Sequence, residues 1–512
     1  GAVCRQLDGL PLAIELAAAR TATMRPSELA TRLGEKFDLL ATRRRRGRHR
    51  SLEAVLEWSW ELLHDDAQSL LVQLGTFTGG WTLEAAEAVC DDPATVASRM
   101  QTLVATSLVE TLDDGSGTRF RMLEPVRQFA AARLGQGPRH LELRGRHLAY
   151  WLDNARAKTT NDHWCSTEWA AQIRADFDNY RAVVEGAFDD EPDAAVELLC
   201  AGSVAWFDGA RNFEVDLLFD RAFETVTEPS PLLLLAAAFN DITVGDHVRL
   251  AVRTQAAAAH PEADQDLACA ALVASYQGFS RATIDPTSAV PLVKVGIEKA
   301  ADAGATDLLC LTLAWGASTL HIADRSDEAL ELTRQARDLD VQAASLGRFH
   351  ALYAEYFIHL GLDDLEQARA TYDELDRFGR SLPPTSGHAE TVERTGSFLQ
   401  AHDGNHQALT QALDDNYLEA RTTGIQIGLN DVVLAIAELI EHRGHSDAAG
   451  ELIAALHRQP LTHPLVYHRY RNARARLPRS QPPDHQLETT DLYDMTTNVL
   501  VDLASSPVPK CW

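Results

Sequence analysis

At 512 residues the chain is too long for one ordinary core, and a length of about 150 residues per domain points to three or so. Apolar residues make up 45% and charged residues 24%, the balance of a globular protein rather than a disordered one. The formal charge of −27 argues against a general nucleic-acid binder and against docking on an anionic membrane, since both need a basic face.

Residues 1–47 open with a helical pattern in which Leu12, Leu16 and Ala19 share a face and Pro11 sits in the first turn. The chain begins at Gly1 rather than at a methionine, inside this pattern, which points to a fragment or a processed product. The run Arg43-Arg44-Arg45-Arg46-Gly47-Arg48-His49-Arg50 reads as an exposed linker, solvated or set against an acidic face, with DNA phosphate as the lesser alternative.

Helical spacing resumes with Leu52, Val55, Leu56, Leu62 and Leu63 around Trp58 and Trp60, and continues with Leu70, Leu71 and Leu74. Thr82 reads as the N-cap of a short helix through Ala88. Ser107–Leu112 and Thr118–Leu123 break the period as strand-like runs around a turn at Asp113-Asp114-Gly115-Ser116-Gly117. A helix follows Pro125 through Val126, Phe129, Ala130 and Leu134. Helices, one hairpin and a closing helix give a winged-helix order over residues 48–140, and the hairpin is the only convincing β-structure expected.

From residue 141 the pattern is helical throughout. Residues 141–239 read as a connector or first repeats, and 240–477 as a repeat array. Short helices are expected around Ala289, Ala329, Ala368, Ala408 and Ala448, spaced by 39 or 40 residues. Each follows a longer apolar helix ending in a turn, as in Tyr356-Phe357-Ile358-His359-Leu360-Gly361. A small alanine where two helices meet, at a constant period, is the pattern of stacked helical hairpins that bury one continuous core. It resembles the tetratricopeptide family in a longer-period form. The expected fold class is therefore mainly α, a winged-helix domain followed by a tetratricopeptide-like α-solenoid. Residues 478–512, with five prolines, read as a partly disordered tail.

Three motifs in order, the second in two stretches, carry a second resemblance. Gly9-Leu10-Pro11-Leu12-Ala13 is similar to the GLPLA motif of the STAND and NB-ARC ATPases. The stretches Arg50–Leu63 and Phe77–Ala86 look like the helices opening their winged-helix subdomain, and Phe120–Ala130 like the strand and helix closing it. The segment Asp176–Ala182 is similar to a helical stretch C-terminal to that subdomain in bacterial transcriptional regulators of this type. The resemblance implies a winged helix that folds over a bound nucleotide. Leu10, Pro11 and Leu12 would then form part of the base pocket, and Met122-Leu123-Glu124 would occupy the place of the family's Met-His-Asp motif. Leu123 stands where the family has the histidine that contacts the ADP phosphate, a departure that removes the imidazole. Plain helix and hairpin packing is the alternative reading of both sites.

No GxxxxGK[ST] loop occurs, nor a strand ending in paired acids, so nothing here would cradle a triphosphate or hold its Mg²⁺. The expectation is a chain with no catalytic residues, ATP or ADP being bound by the parent protein through a nucleotide-binding domain upstream. The seven scattered cysteines form no CxxC pair and read as free thiols in a reducing cytoplasm. The close histidine pairs, His402 with His406 and His463 with His468, lack the acid or cysteine that would complete a metal site. No apolar run approaches the roughly 18 residues a membrane span needs. Trp206, Phe207, Trp315, Tyr353, Tyr356 and Phe357 fall on inner positions of the repeats, as core or as lining of a partner-binding groove.

These features lead to a regulatory portion of a STAND-type protein, with a protein or peptide ligand on the repeats and the winged helix as relay. The alternatives are a stand-alone repeat scaffold and direct DNA binding through the winged helix.

Overall fold

The computed structural model describes residues 14–16, 18, 48–113, 117–159, 167–203, 212–244, 246–282, 284–339, 345–382, 388–423, 427–457, 464–477 and 488–505. They fall into two compact units. The first holds residues up to Asn154 together with Asp176–Asp190, and the second holds Ala155–Ala175 and everything from Glu191 on. The chain is mainly α, a winged-helix domain followed by a helical solenoid.

The first unit runs α1 (Arg48–Glu61), α2 (Asp65–Leu74), β1 (Trp81–Thr82), α3 (Leu83–Val89), α4 (Pro93–Ala105), β2 (Glu110–Asp113), β3 (Thr118–Arg121) and α5 (Glu124–Leu134). The leucines at 70, 71 and 74 recur at helical spacing and all three are fully buried, which fixes α2 in the core. Thr82 caps α3 as its sequence suggests, its Oγ1 accepting from the Ala85 N–H at 3.2 Å. The sheet has three strands in the order β1-β3-β2, antiparallel, with Trp81 opposite Phe120 and Thr111 opposite Phe120. The hairpin is thus joined by a third strand that the sequence pattern does not reveal, because two residues are too short to show a period. Gly75 ends α2 where a β-carbon would stand 2.8 Å from the Ala131 amide nitrogen, so the bare glycine lets α2 and α5 meet.

This unit extends past the boundary expected at residue 140. It takes in the first part of α6 (Pro138–Thr159) and, beyond α7 (Thr167–Ala175) of the second unit, α8 (Phe177–Asp190). Trp151 of α6 meets Tyr180 of α8 edge to face at 5.1 Å, both rings buried. Asn179 of α8 holds the turn before β1, accepting from the Thr78 and Gly79 amides and donating to the Gly80 carbonyl.

The second unit continues with α9 (Pro192–Ala201), α10 (Asn212–Thr225), α11 (Pro231–Val244), α12 (His247–Ala259), α13 (Leu267–Ala282) and α14 (Pro286–Asp302). There follow α15 (Thr306–Ile322), α16 (Ser326–Asp338), α17 (Leu346–Gly361), α18 (Leu365–Ser381), α19 (His388–His402), α20 (His406–Thr423), α21 (Ile427–His442) and α22 (Ser446–Ala455). Successive pairs from α11 to α22 pack as hairpins, and the first helix of one hairpin packs on the first of the next, α13 on α15, α15 on α17 and α19 on α21. The first helices form the inner row. In α15 every residue from Cys310 to Ile322 is buried, so that helix is covered all round, whereas the second helices are amphipathic.

The hairpin turns share a geometry. Asp324, Asp363, Gly404 and Gly444 each adopt positive φ, spaced by 39, 41 and 40 residues. Five residues after each comes the buried contact position: Ala329, Ala368, Leu409 and Ala449, all fully buried. This corrects the expected register, because Ala408 and Ala448 are only partly buried and the last two hairpins are offset by one. The repeat is set by the left-handed turn residue rather than by alanine identity.

Two helices come after the hairpins, α23 (Pro464–Arg476) and α24 (Thr489–Ser505). The tail expected to be partly disordered contains α24, which packs on α20, α21 and α22, with Leu492 and Thr496 fully buried and Tyr493 stacked on Tyr417 at 4.0 Å. Covering the exposed end of a stack is the physical reason such a helix forms there.

Candidate functional sites on the winged helix and the repeats

Of the residues the resemblance assigns to nucleotide, Leu10, Pro11 and Leu12 lie outside the described residues, as does the basic run through residue 47. Met122 and Glu124 are described, and they do different things. Met122 follows β3 and is buried in the core of the first unit, 8% exposed. Leu123 takes the N-cap position of α5 with no side-chain cap, and its carbonyl accepts from the Val126 and Arg127 amides. Glu124 is exposed in the first turn, where a carboxylate suits the positive end of the helix dipole. It accepts two bonds of 2.7 Å from Arg127 and one of 2.8 Å from Gln128, and Arg127 holds its carboxyl below the usual range. A thioether in the core, an aliphatic side chain and a committed carboxylate offer no donor to a phosphate. This corner does not fit that contact.

The groove-reading position of a winged helix belongs to the helix before the hairpin, here α4. Its exposed face shows Thr95, Ser98, Gln101 and Thr102 and carries no charge. The one arginine, Arg99, is buried and bonds the carbonyls of Asp91 and Asp92 at 2.8 and 3.1 Å. Asp91 in turn accepts from Arg139 and, at 2.8 Å, from Arg146. Those two bonds, Arg139's foremost, pull its carboxyl down to about 2.

On the hairpin, Arg119 forms a buried pair with Asp176 just before α8, and Arg121 pairs with Glu110 at 2.8 Å. Arg133 reaches Glu57 at 2.5 Å and lies over Phe129. Among the described side chains of this unit, each of these arginines is spent on a carboxylate or a carbonyl. None is left as a free phosphate anchor of the kind nucleic-acid binding requires.

In the second unit, the aromatic residues of the inner row are core. Trp315, Tyr353, Tyr356 and Phe357 are at most 5% exposed, and the Tyr356 hydroxyl donates to the Thr395 carbonyl of the next inner helix at 3.0 Å. Trp206 and Phe207 lie outside the described residues. Beside Phe357, however, the inner row opens into a cavity of about 570 Å³. Its polar lining includes His321, His402, His442, Glu438 and, across from them on α23, His468 and Arg469. Burial pushes His321 down to about 4, helped by His468 and Arg469, and lowers His402 and His468 as well.

The sequence holds a signal for this site that periodicity alone passes over. A histidine recurs in the last turn of four successive inner helices, at 321, 359, 402 and 442. Sequence spacing sets His402 beside His406 and His468 beside His463, whereas stacking brings His402 and His468 to other histidines. His402 faces His442 at 5.0 Å between rings, and His321 faces His468 at 5.9 Å, so the neighbours come from other hairpins. Among the described residues no three His, Cys, Asp or Glu side chains are grouped to hold a metal ion.

Three described thiols, Cys90, Cys200 and Cys310, are buried and desolvation raises them to about 12, while the half-buried Cys269 is raised to about 11, which keeps all four protonated. Among the described residues no helix is long and apolar enough to cross a membrane.

Comparison with known proteins meets this geometry at the winged helix. The profile of the winged helix-turn-helix domain family matches residues 63–135. HTH-type transcriptional regulators of Mycobacterium tuberculosis and Mycobacterium bovis are 39% identical over 191 residues, which is 36% of this chain but 21% of theirs. An uncharacterised protein of M. tuberculosis is 36% identical over 143 residues, 27% of this chain and 36% of its own. The chain thus spans only a minor part of these relatives' length. A signal transduction ATPase with numerous domains, bearing a tetratricopeptide repeat sensor, from Pyrococcus horikoshii aligns over 88% of this chain and 72% of its own. Its TM-score of 0.37 and 13% identity are too low to bear on fold or function.

Proposed function

We propose that this chain is the regulatory portion of a larger STAND-type transcriptional regulator. Its repeats bind a protein or peptide, and its winged helix acts as a lid that relays that event to an upstream nucleotide-binding domain, where ATP or ADP is held. The chain itself carries no catalysis. The observation that carries this reading is the spent charge of the winged helix: Arg119, Arg121 and Arg133 tie its strands and helices together, while the polar cavity of the second unit is open to a ligand.

A ligand on the repeats can shift such a switch only by binding the lid-open and lid-closed states with different affinity. The test is ADP release from the full-length parent protein, with and without the repeats. A changed release rate supports relay, and identical rates refute it.

DNA binding through the winged helix is the second reading, favoured by the domain match over residues 63–135. Fluorescence anisotropy of the full chain with duplex DNA across a salt series decides it. Affinity that falls steeply with salt supports DNA contact, and its absence removes it.

A further inference from the structure

Helix α23 differs from its surroundings in both composition and place. Between Pro464 and Arg476 it has four arginines and no acid, in a chain whose net charge is −27. It packs on the preceding α22 and also on α15, α17 and α21, so a helix about 20 Å long reaches across the inner row of several hairpins.

Its buried stripe is Leu465, Val466, Tyr470, Ala473 and, just beyond the helix, Leu477, none more than 6% exposed. That is the i, i+4 pattern of an amphipathic helix laid in a groove. Arg469 and Arg476, seven residues apart, make its polar grip. Arg469 donates to both carboxylate oxygens of Glu438 at 3.1 and 2.7 Å, with its guanidinium 5.2 Å from the Phe398 ring. Arg476 donates to both oxygens of Glu441 at 3.2 and 3.0 Å. Both acids stand on α21, three residues apart.

Two features mark this seat as a recognition site rather than as core. The Glu438–Arg469 pair is nearly buried, 6% and 14% exposed. A buried pair gains little net stability, because desolvation offsets the attraction, but two parallel bonds from a guanidinium give strong geometric selection. The other feature is the fit. Core elements are packed to crystal density, yet along its polar edge α23 leaves the cavity of about 570 Å³ between its His468 and Arg469 and the histidines of the inner row.

We propose that the inner face of the solenoid is a receptor for an arginine-bearing amphipathic helix of a partner protein, with arginines seven residues apart. Helix α23 is its resident occupant. A partner helix that carries the same grip and also fills the cavity replaces it. This deepens the peptide-binding half of the proposed function and rests on that reading, naming the partner chemistry and the site. Because α23 is tethered, it competes at an effective concentration in the millimolar range, so an outside helix sees only the fraction of sites it vacates.

The experiment uses the full chain and a fluorescein-labelled synthetic peptide of residues 464–477, read by anisotropy. The Arg469→Glu/Arg476→Glu double variant loosens the resident helix and leaves the receptor face intact. It is expected to bind the peptide at least about tenfold more tightly than the wild-type chain, as relief from a tethered competitor requires. A peptide carrying the same two changes is expected to bind neither protein.

A double variant with wild-type helical circular dichroism and no gain in affinity overturns the proposal, as does equal binding of the reversed peptide. Should that variant not fold, Arg469→Lys/Arg476→Lys keeps the charge and removes the fork. It is expected to raise peptide affinity severalfold, and no increase overturns the proposal. Failure here with ADP release still coupled to the repeats removes the helical ligand and keeps the regulator. Loss of that coupling with peptide binding intact does the reverse.

Discussion

Single residues carry more of this molecule's electrostatics than its charge total suggests. Arg119 and Asp176 are each about a tenth exposed and join β3 to the segment entering α8. Neither alone is tolerable in that place without its partner. Arg119→Met leaves a buried carboxylate and is expected to cost about 3–5 kcal/mol, whereas Arg119→Met with Asp176→Leu recovers most of it. Urea unfolding of both variants reads the difference, and equal loss in the two would contradict the pairing.

Histidines give a second residue-scale effect. Burial pushes His147 and His350 down to about 3, and His321 to about 4. In the unfolded chain each returns to about 6.5, so below that value the unfolded state takes up protons that the folded state refuses. These groups therefore leave stability unaffected above pH about 6.5 and drain it as pH falls toward about 4. His350→Phe is expected to flatten the drop in urea midpoint between pH 7.5 and 5.0. An unchanged slope would show that His350 is not held neutral.

At the scale of elements, close approach governs the inner row. Gly347 begins α17 where a β-carbon would lie 2.8 Å from Cys310 Cβ and 2.9 Å from both the Asp307 carbonyl oxygen and the Leu311 nitrogen. Backbone cannot swing aside as a side chain can. Gly347→Ala is therefore expected to destabilise the chain by about 1–3 kcal/mol, measured as a lowered thermal midpoint.

Elements were also where the amino-acid pattern spoke most clearly. Helical spacing marked α2, α5 and the hairpins, and Thr82 announced its cap. The strand Trp81–Thr82 stayed hidden because its pairing with Phe120 and Arg119 is a long-range choice. The offset at Ala449 stayed hidden because adjacent alanines at 448 and 449 look alike until a turn at Gly444 selects one. The cavity was hidden for a similar reason: residues scattered between 321 and 476 share it through stacking, and no local window spans them.

For the whole molecule, an acidic total with internally consumed arginines means net self-repulsion. Raising salt from about 0.05 to 0.5 M shrinks the Debye length from beyond 10 Å to a few ångströms, and the thermal midpoint is expected to rise. A midpoint that falls would show that attractive pairs such as Arg139–Asp91 outweigh the repulsion. Composition could not show that the most basic helix among the described residues is turned inward on Glu438 and Glu441.

The uneven 39, 41 and 40 residue spacing of the turn residues also has a practical side. Anyone lengthening this solenoid by duplicating a module must cut at matching turns. A second copy of residues 326–364 would splice in phase with Leu365. A forty-residue block would set the contact position of the duplicated module six residues after its turn instead of five, a rotation of about 100° at that junction.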